Sequence, residues 1–241
     1  MENNEKEIQY SFKDLIEIVE TLRGENGCPW DKKQTHDSLR PYIMEEAAEL
    51  VSSIRIYNRT GNAENLKEEL GDILLQVVMH AQIAGEEGLF TLEEVIDGIS
   101  AKMVRRHPHV FGRANTGEEQ IREEWEEIKR KEKEGKEWIV SPLREIPTEL
   151  PGLTRAAKVI KKADKLYGTG ISYDKEVQSL EILVEKLKEI KLPEADSALG
   201  ELMSEMLMKL CTIAGRYSVP QEQLLIDKIE DMIAVCEPLD E

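Results

Sequence analysis

Two short acidic motifs carry the residue types that could do chemistry: Glu45-Glu46-Ala47-Ala48-Glu49 and Glu68-Glu69-Leu70-Gly71-Asp72. On a helix, residues three apart share a face, with Cβ atoms about 5–6 Å apart. Glu46 therefore pairs with Glu49, and Glu69 with Asp72. Two carboxylates about 5 Å apart at an effective dielectric near 20 repel by roughly 3 kcal/mol. Four brought together need protons or a divalent cation. An all-carboxylate oxygen set suits Mg²⁺ or Mn²⁺, hard ions that keep waters and favour substrate phosphates. The alternative is a solvated acidic face in an acidic chain, and for Glu45 and Glu68 that is the better reading.

The elements that must position these acids follow from apolar spacing. A helix is expected over 37–58, with Ile43, Met44, Ala47, Leu50, Val51 and Ile54 on its core stripe and Glu46 at the stripe's edge. A second is expected over 63–86, joined to the first by the polar turn Thr60-Gly61-Asn62. That turn is short enough to fold the pair antiparallel. Packed axes about 8–10 Å apart would let all four carboxylates converge. Ile73 to Gly85 holds no Asp, Glu, Lys or Arg and is apolar nearly all round, which predicts a buried central helix. Gly71 inside it costs about 1 kcal/mol relative to Ala. The expected return is close approach of a neighbouring backbone or ligand.

The rest of the first half frames that pair. Ser11 caps a helix ending before Gly24, and a loop with Cys28-Pro29-Trp30-Asp31 follows. We expect Trp30 to pack the loop down and Cys28 to be a small buried residue rather than a nucleophile. Thr91-Leu92-Glu93-Glu94 has capping-box form and opens a helix to about His107, stopped by Pro108. Near its end Lys102, Arg105 and Arg106 share a face. Cations there complement the helix dipole, and they also supply the grip on phosphate oxygens that a metal–phosphate site needs. His107 and His109 read as structural. A charged helix over 118–133 places Trp125 and Lys129 four residues apart, on one face.

Composition bounds the rest. With 34% charged and 5% aromatic residues over 241 positions, the chain reads as all-α. A net charge of −17 argues against a broad nucleic-acid or anionic-membrane surface. Three cysteines without metal spacing, and no basic or apolar leader at the N-terminus, point to the cytoplasm. Pro142, Pro147 and Pro151 mark a linker at 136–151, between a domain at 1–135 and another at 152–241.

Several of these pieces together resemble the MazG-type nucleoside triphosphate pyrophosphohydrolases: Cys28-Pro29-Trp30-Asp31, Glu45-Glu46-x-x-Glu49, Glu69-Leu70-Gly71-Asp72, Arg105-Arg106-His107-Pro108-His109 and Trp125-x-x-Ile128-Lys129. The resemblance covers about the first 130 residues. It implies an antiparallel all-α helix bundle, usually a homodimer, that hydrolyses nucleoside triphosphates to monophosphate and pyrophosphate with Mg²⁺. Glu46, Glu49, Glu69 and Asp72 would be the ion ligands, and Lys102 and Arg106 would hold the triphosphate with Arg105 helping. Trp125 and Lys129 would stand at the nucleotide edge, and Glu45 would orient the attacking water.

The second half departs from that pattern. Gly200-Glu201-Leu202-Met203-Ser204 puts a serine where the motif's Asp would stand. Glu181 and Glu185 lack partners, and only Lys228 follows. Residues 152–241 are therefore expected to be a degenerate helical repeat. Two alternatives remain: a base-selective dUTP or dCTP hydrolase of the same superfamily, or a helical regulator that senses nucleotides without hydrolysing them. A di-iron bundle would want Glu-x-x-His pairs, and neither acidic pair has one.

Overall fold

The computed structural model describes residues 9–112, 118–132, 140–190 and 196–237. The chain's packing divides it into two units, Met1–Lys131 and Glu132–Glu241. The expected boundary at 135/136 falls in 133–139, outside the described residues, as does the extreme N-terminus. The described chain is helical, without a strand among the described residues.

The first unit is built around its third helix. Helix α1 (Phe12–Arg23) starts at a reciprocal capping box between Ser11 and Asp14. The loop after it carries a short 3-10 turn, Asp31–Lys33. Helix α2 (His36–Thr60) starts one residue earlier than expected because Thr35 and Ser38 form a second capping box. It ends on Gly61, whose φ of 74° is the left-handed cap a side chain would strain. Helix α3 (Glu64–Glu86) returns antiparallel along α2, then α4 (Leu92–Arg106) follows from the Thr91–Glu94 capping box. Pro108 does not merely stop α4. It occupies the first position of a new turn, α5 (Pro108–Phe111), where its missing N–H loses nothing. Helix α6 (Glu118–Lys131) closes the unit.

The core gathers Val19 of α1, Leu39 of α2, and Val78, Met79 and Ile83 of α3. Helix α3 is thus central, as its uncharged run predicts, but it is not buried all round. Leu70, Leu74 and Val77 are 52%, 39% and 39% exposed along one stripe. Periodicity shows that a surface is apolar; it does not show what covers it.

The loop between α1 and α2 is fixed from both sides. A Cβ at Gly27 would stand 2.2 Å from the Leu22 carbonyl oxygen, so only glycine lets the loop fold back on the end of α1. Arg23, its side chain 5% exposed, forks onto Glu86 of α3 at 2.9 and 2.7 Å. Its other guanidinium nitrogen donates to the carbonyls of Asp31 and Gln34.

The second unit holds α7 (Gly152–Tyr167), α8 (Tyr173–Glu189), α9 (Asp196–Arg216) and α10 (Gln221–Cys236). Helix α9 packs against α7 and α8, and α10 against α7. Leu183, Leu202 and Cys211 are buried there, and Lys209 pairs with Glu176 at 2.9 Å. This is in line with a second helical repeat.

Candidate functional site

Helices α2 and α3 meet at two polar points. Near the start of α2, His36 Nδ1 lies 2.7 Å from His80 Nδ1, the rings stacked with centroids 5.0 Å apart. Further along, Glu46, Glu49 and Glu69 each offer a carboxylate oxygen, and all three lie within 4.8 Å of one another. The i, i+3 spacing of Glu46 and Glu49 and the antiparallel return of α3 produce this cluster.

Asp72, one turn along α3, is not within that mutual distance of all three. Its charge nevertheless acts on the cluster: the Glu46 carboxyl is pushed above the usual carboxylate range, first by partial burial and then by Asp72, Glu49, Glu69 and Glu45. Three carboxylates converge, and none of them takes part in an ion pair among the described residues. Such a donor set fits a hard divalent ion, which would relieve the repulsion.

Glu69 is the best-shielded acid, 9% exposed, and its Oε1 accepts a hydrogen bond of 2.7 Å from Asn65 Nδ2. That contact fixes the carboxylate's orientation and leaves its second oxygen for a ligand. Asn65 escaped the sequence reading, although its i−4 position from Glu69 was the available signal. Glu45 is exposed on α2. A Cβ at Gly71 would meet nothing within 4 Å among the described residues, so the close approach of a neighbouring backbone is not seen there.

Trp30 does not pack its loop down. It is 55% exposed and meets Tyr42 edge-on at 6.2 Å. Tyr42 precedes Glu46 by one turn of α2, so an exposed aromatic pair adjoins the acids. The loop's own order comes instead from Arg23 and Gly27. Cys28 is half-buried.

A second cluster forms on α4 and α6. Lys129 Nζ lies 3.8 Å from the centre of the Trp125 ring, and the Arg106 guanidinium 5.8 Å from it. Both are cation–π distances. Lys102 is half-buried one turn before Arg106, whereas Arg105 is exposed. His107 Nδ1 contacts the Met103 carbonyl at 2.7 Å, and the rings of His107 and His109 are tilted at 57°. The expected bases and aromatic are thus gathered within the first unit, with α4 packed on α3.

In the second unit, Glu201 and Ser204 are exposed on α9, and the Ser204 hydroxyl donates to the Gly200 carbonyl of its own helix. Among the described residues no carboxylate cluster forms there, and no helix is long and apolar enough to cross a membrane.

Comparison with known proteins bears on the family of the chain. Residues 34–111 match the model of the MazG nucleotide pyrophosphohydrolase domain. The nucleoside triphosphate pyrophosphohydrolase/pyrophosphatase MazG of Thermotoga maritima is 39% identical over 220 residues, covering 91% of this chain and 82% of that protein. The nucleoside triphosphate pyrophosphohydrolase of Escherichia coli (strain K12) is 42% identical over 150 residues, 61% of this chain and 55% of that protein. The uncharacterized protein YabN of Bacillus subtilis (strain 168) is 48% identical over 158 residues, 65% of this chain but 31% of that longer protein. With identity at this level running through most of both chains in the Thermotoga comparison, the chain belongs to the MazG nucleotide pyrophosphohydrolase family.

Proposed function

We propose that the chain hydrolyses nucleoside triphosphates to monophosphate and pyrophosphate, with Mg²⁺ (or Mn²⁺) held by Glu46, Glu49, Glu69 and Asp72. The observation that carries this reading is the meeting of three carboxylate oxygens within 4.8 Å across the α2–α3 seam. When bound, the ion neutralises phosphate charge and makes water a better nucleophile.

The chain's own groups supply the rest. Lys102, Arg105 and Arg106 grip phosphate oxygens, Arg through a bidentate fork. Trp125, faced by Lys129 and Arg106, borders the nucleotide, and the exposed Trp30–Tyr42 pair offers a surface on which a base can stack. Water attacks the α-phosphorus, the bond from that phosphorus to the bridging oxygen breaks, and pyrophosphate leaves with that oxygen. Glu45 orients the water and takes its proton, while the bases stabilise charge on the leaving group.

The exposed stripe of Leu70, Leu74 and Val77 supports a homodimer, since such a face is ordinarily covered by a partner. We place the enzyme in the cytoplasm and assign the second unit a packing or assembly role, without its own catalytic site.

Pyrophosphate release tests the proposal. It should require Mg²⁺, stop with chelator, and extend across a panel of canonical and modified triphosphates. Activity confined to dUTP or dCTP would select the base-selective alternative. Tight nucleotide binding without release would select the regulator.

A further inference from the structure

The seam between α2 and α3 contains one polar group that neither the fold nor the proposed reaction uses. Gln76 is 7% exposed, and its Oε1 has no hydrogen-bond partner among the described residues. The other buried polar residues each make at least one side-chain hydrogen bond, although His109 Nδ1 and Gln221 Oε1 are likewise enclosed without a partner among the described residues. Gln34 bonds Ser38 and the Trp30 carbonyl, Ser53 the Leu50 carbonyl, Glu69 the Asn65 amide, and Thr212 the Met208 carbonyl. Burying a carboxamide oxygen without a donor is unfavourable, whereas leucine or methionine would fill the same space without that cost. An acceptor kept under those terms points to a donor that arrives with a ligand.

Its position says which ligand. At 100° per residue, Glu69, Asp72, Gln76 and His80 fall within about 40° of Gln76's own direction around α3. The His36–His80 contact closes one end of the seam and the Glu46–Glu49–Glu69 cluster stands at the other, with Gln76 between them. Long side chains on a helix lean toward its N-terminus, which here is the side of Asp72. The exposed stripe of Leu70, Leu74 and Val77 lies about 100–160° away around the helix, so Gln76 does not belong to the face left for a partner chain.

We propose that Gln76 is a further nucleotide-binding residue of the active site, which discriminates between sugars where its donor is a sugar hydroxyl. Its carbonyl accepts a hydrogen bond from an O–H group held beside the acids, either a hydroxyl of the nucleotide's sugar or a water retained with it. The proposal rests on the acid cluster being a nucleotide site.

The test is Gln76→Leu in the full chain, with Gln76→Met as a second variant that keeps the unbranched length. Melting is measured in chelator, and kcat and KM with Mg²⁺ for matched ribo-, 2′-deoxy- and 2′,3′-dideoxynucleoside triphosphates. Both variants should melt at or a few degrees above the wild type, because an unsatisfied buried group is removed. Their kcat/KM should fall about 5- to 100-fold.

If the donor is a sugar hydroxyl, the deficit disappears with the nucleotide that lacks it. If it is water, the deficit is the same for all three sugars. Kinetics within twofold of wild type for every nucleotide in either variant overturn the assignment, as does a lower melting temperature in both, which would make Gln76 a structural residue. A wild-type chain that releases no pyrophosphate would instead refute the proposed activity, a result read before any variant is made.

Discussion

Replacing Glu69 with glutamine changes one charge and almost no volume, and it separates two consequences of the acid cluster. The new side chain keeps an oxygen for the Asn65 amide 2.7 Å away, so local order survives. Two carboxylate charges at 4.8 Å repel by about 3 kcal/mol at an effective dielectric near 20. Glu69 faces two such neighbours, but Glu49 is exposed and water screens much of its share. A net relief of about 1–2 kcal/mol is the reasonable expectation. In chelator the variant should therefore melt about 2–6 °C above the wild type.

With Mg²⁺ the order reverses. The wild type gains stability as the ion binds the folded state, the variant gains little, and pyrophosphate release falls at least about 100-fold. Differential scanning fluorimetry over a Mg²⁺ titration, beside the release assay, reads both effects. A Glu69→Gln protein that melts lower than wild type in chelator and still responds to Mg²⁺ would refute the account of these acids as a mutually repelling ion site.

Alanine at Glu201 should leave turnover near wild type while alanine at Glu69 abolishes it; equal losses would mean the second unit takes part in the chemistry. Arg23→Met should destabilise the first unit by about 3 kcal/mol in urea denaturation, because the two loop carbonyls and Glu86 lose a shared donor. Arg23→Lys should recover little, since an ammonium cannot reproduce the fork. The imidazole of His80 is held below its ordinary value by burial and then by His36. Its neutral form goes with the fold, and the unfolded chain takes up the proton first, near pH 6.5. Its contribution is complete above that pH and is lost as the pH falls through the folded-state value. Glu46, with its pKa raised, works in the opposite direction, so the measurement is the difference in melting temperature between wild type and His80→Leu. That difference should shrink on going from pH 7.5 to pH 5.

Local chemistry was legible where a short-range rule governs it. The capping boxes at Ser11 and Thr91 and the Gly61 turn were written in neighbouring residues, so helix limits came within a residue or two. The i, i+3 acids pointed at one another because a single antiparallel turn leaves two rods few other choices. Features that depend on distant partners were hidden. Trp30 in a Gly/Pro loop looks like a packing residue until Arg23, 63 residues from Glu86 in sequence, proves to hold that loop to it. Gly71 looks like a point where another backbone could come close, yet no described part of the chain does. The apolar run of α3 gives no sign that Leu74 and Val77 are left exposed, nor that Gln76 is enclosed without a donor.

Helix α3 carries its carboxylates on one side and an uncovered oily ridge on another. A single stiff rod therefore answers to two neighbours, and any shift that seats one is transmitted to the other. If a second copy covers the ridge and the two equilibria are coupled, ion binding and self-association each change the other by the same factor. Protein concentration then belongs beside ion concentration as a controlled variable, because dilution alone would change the grip on the ion.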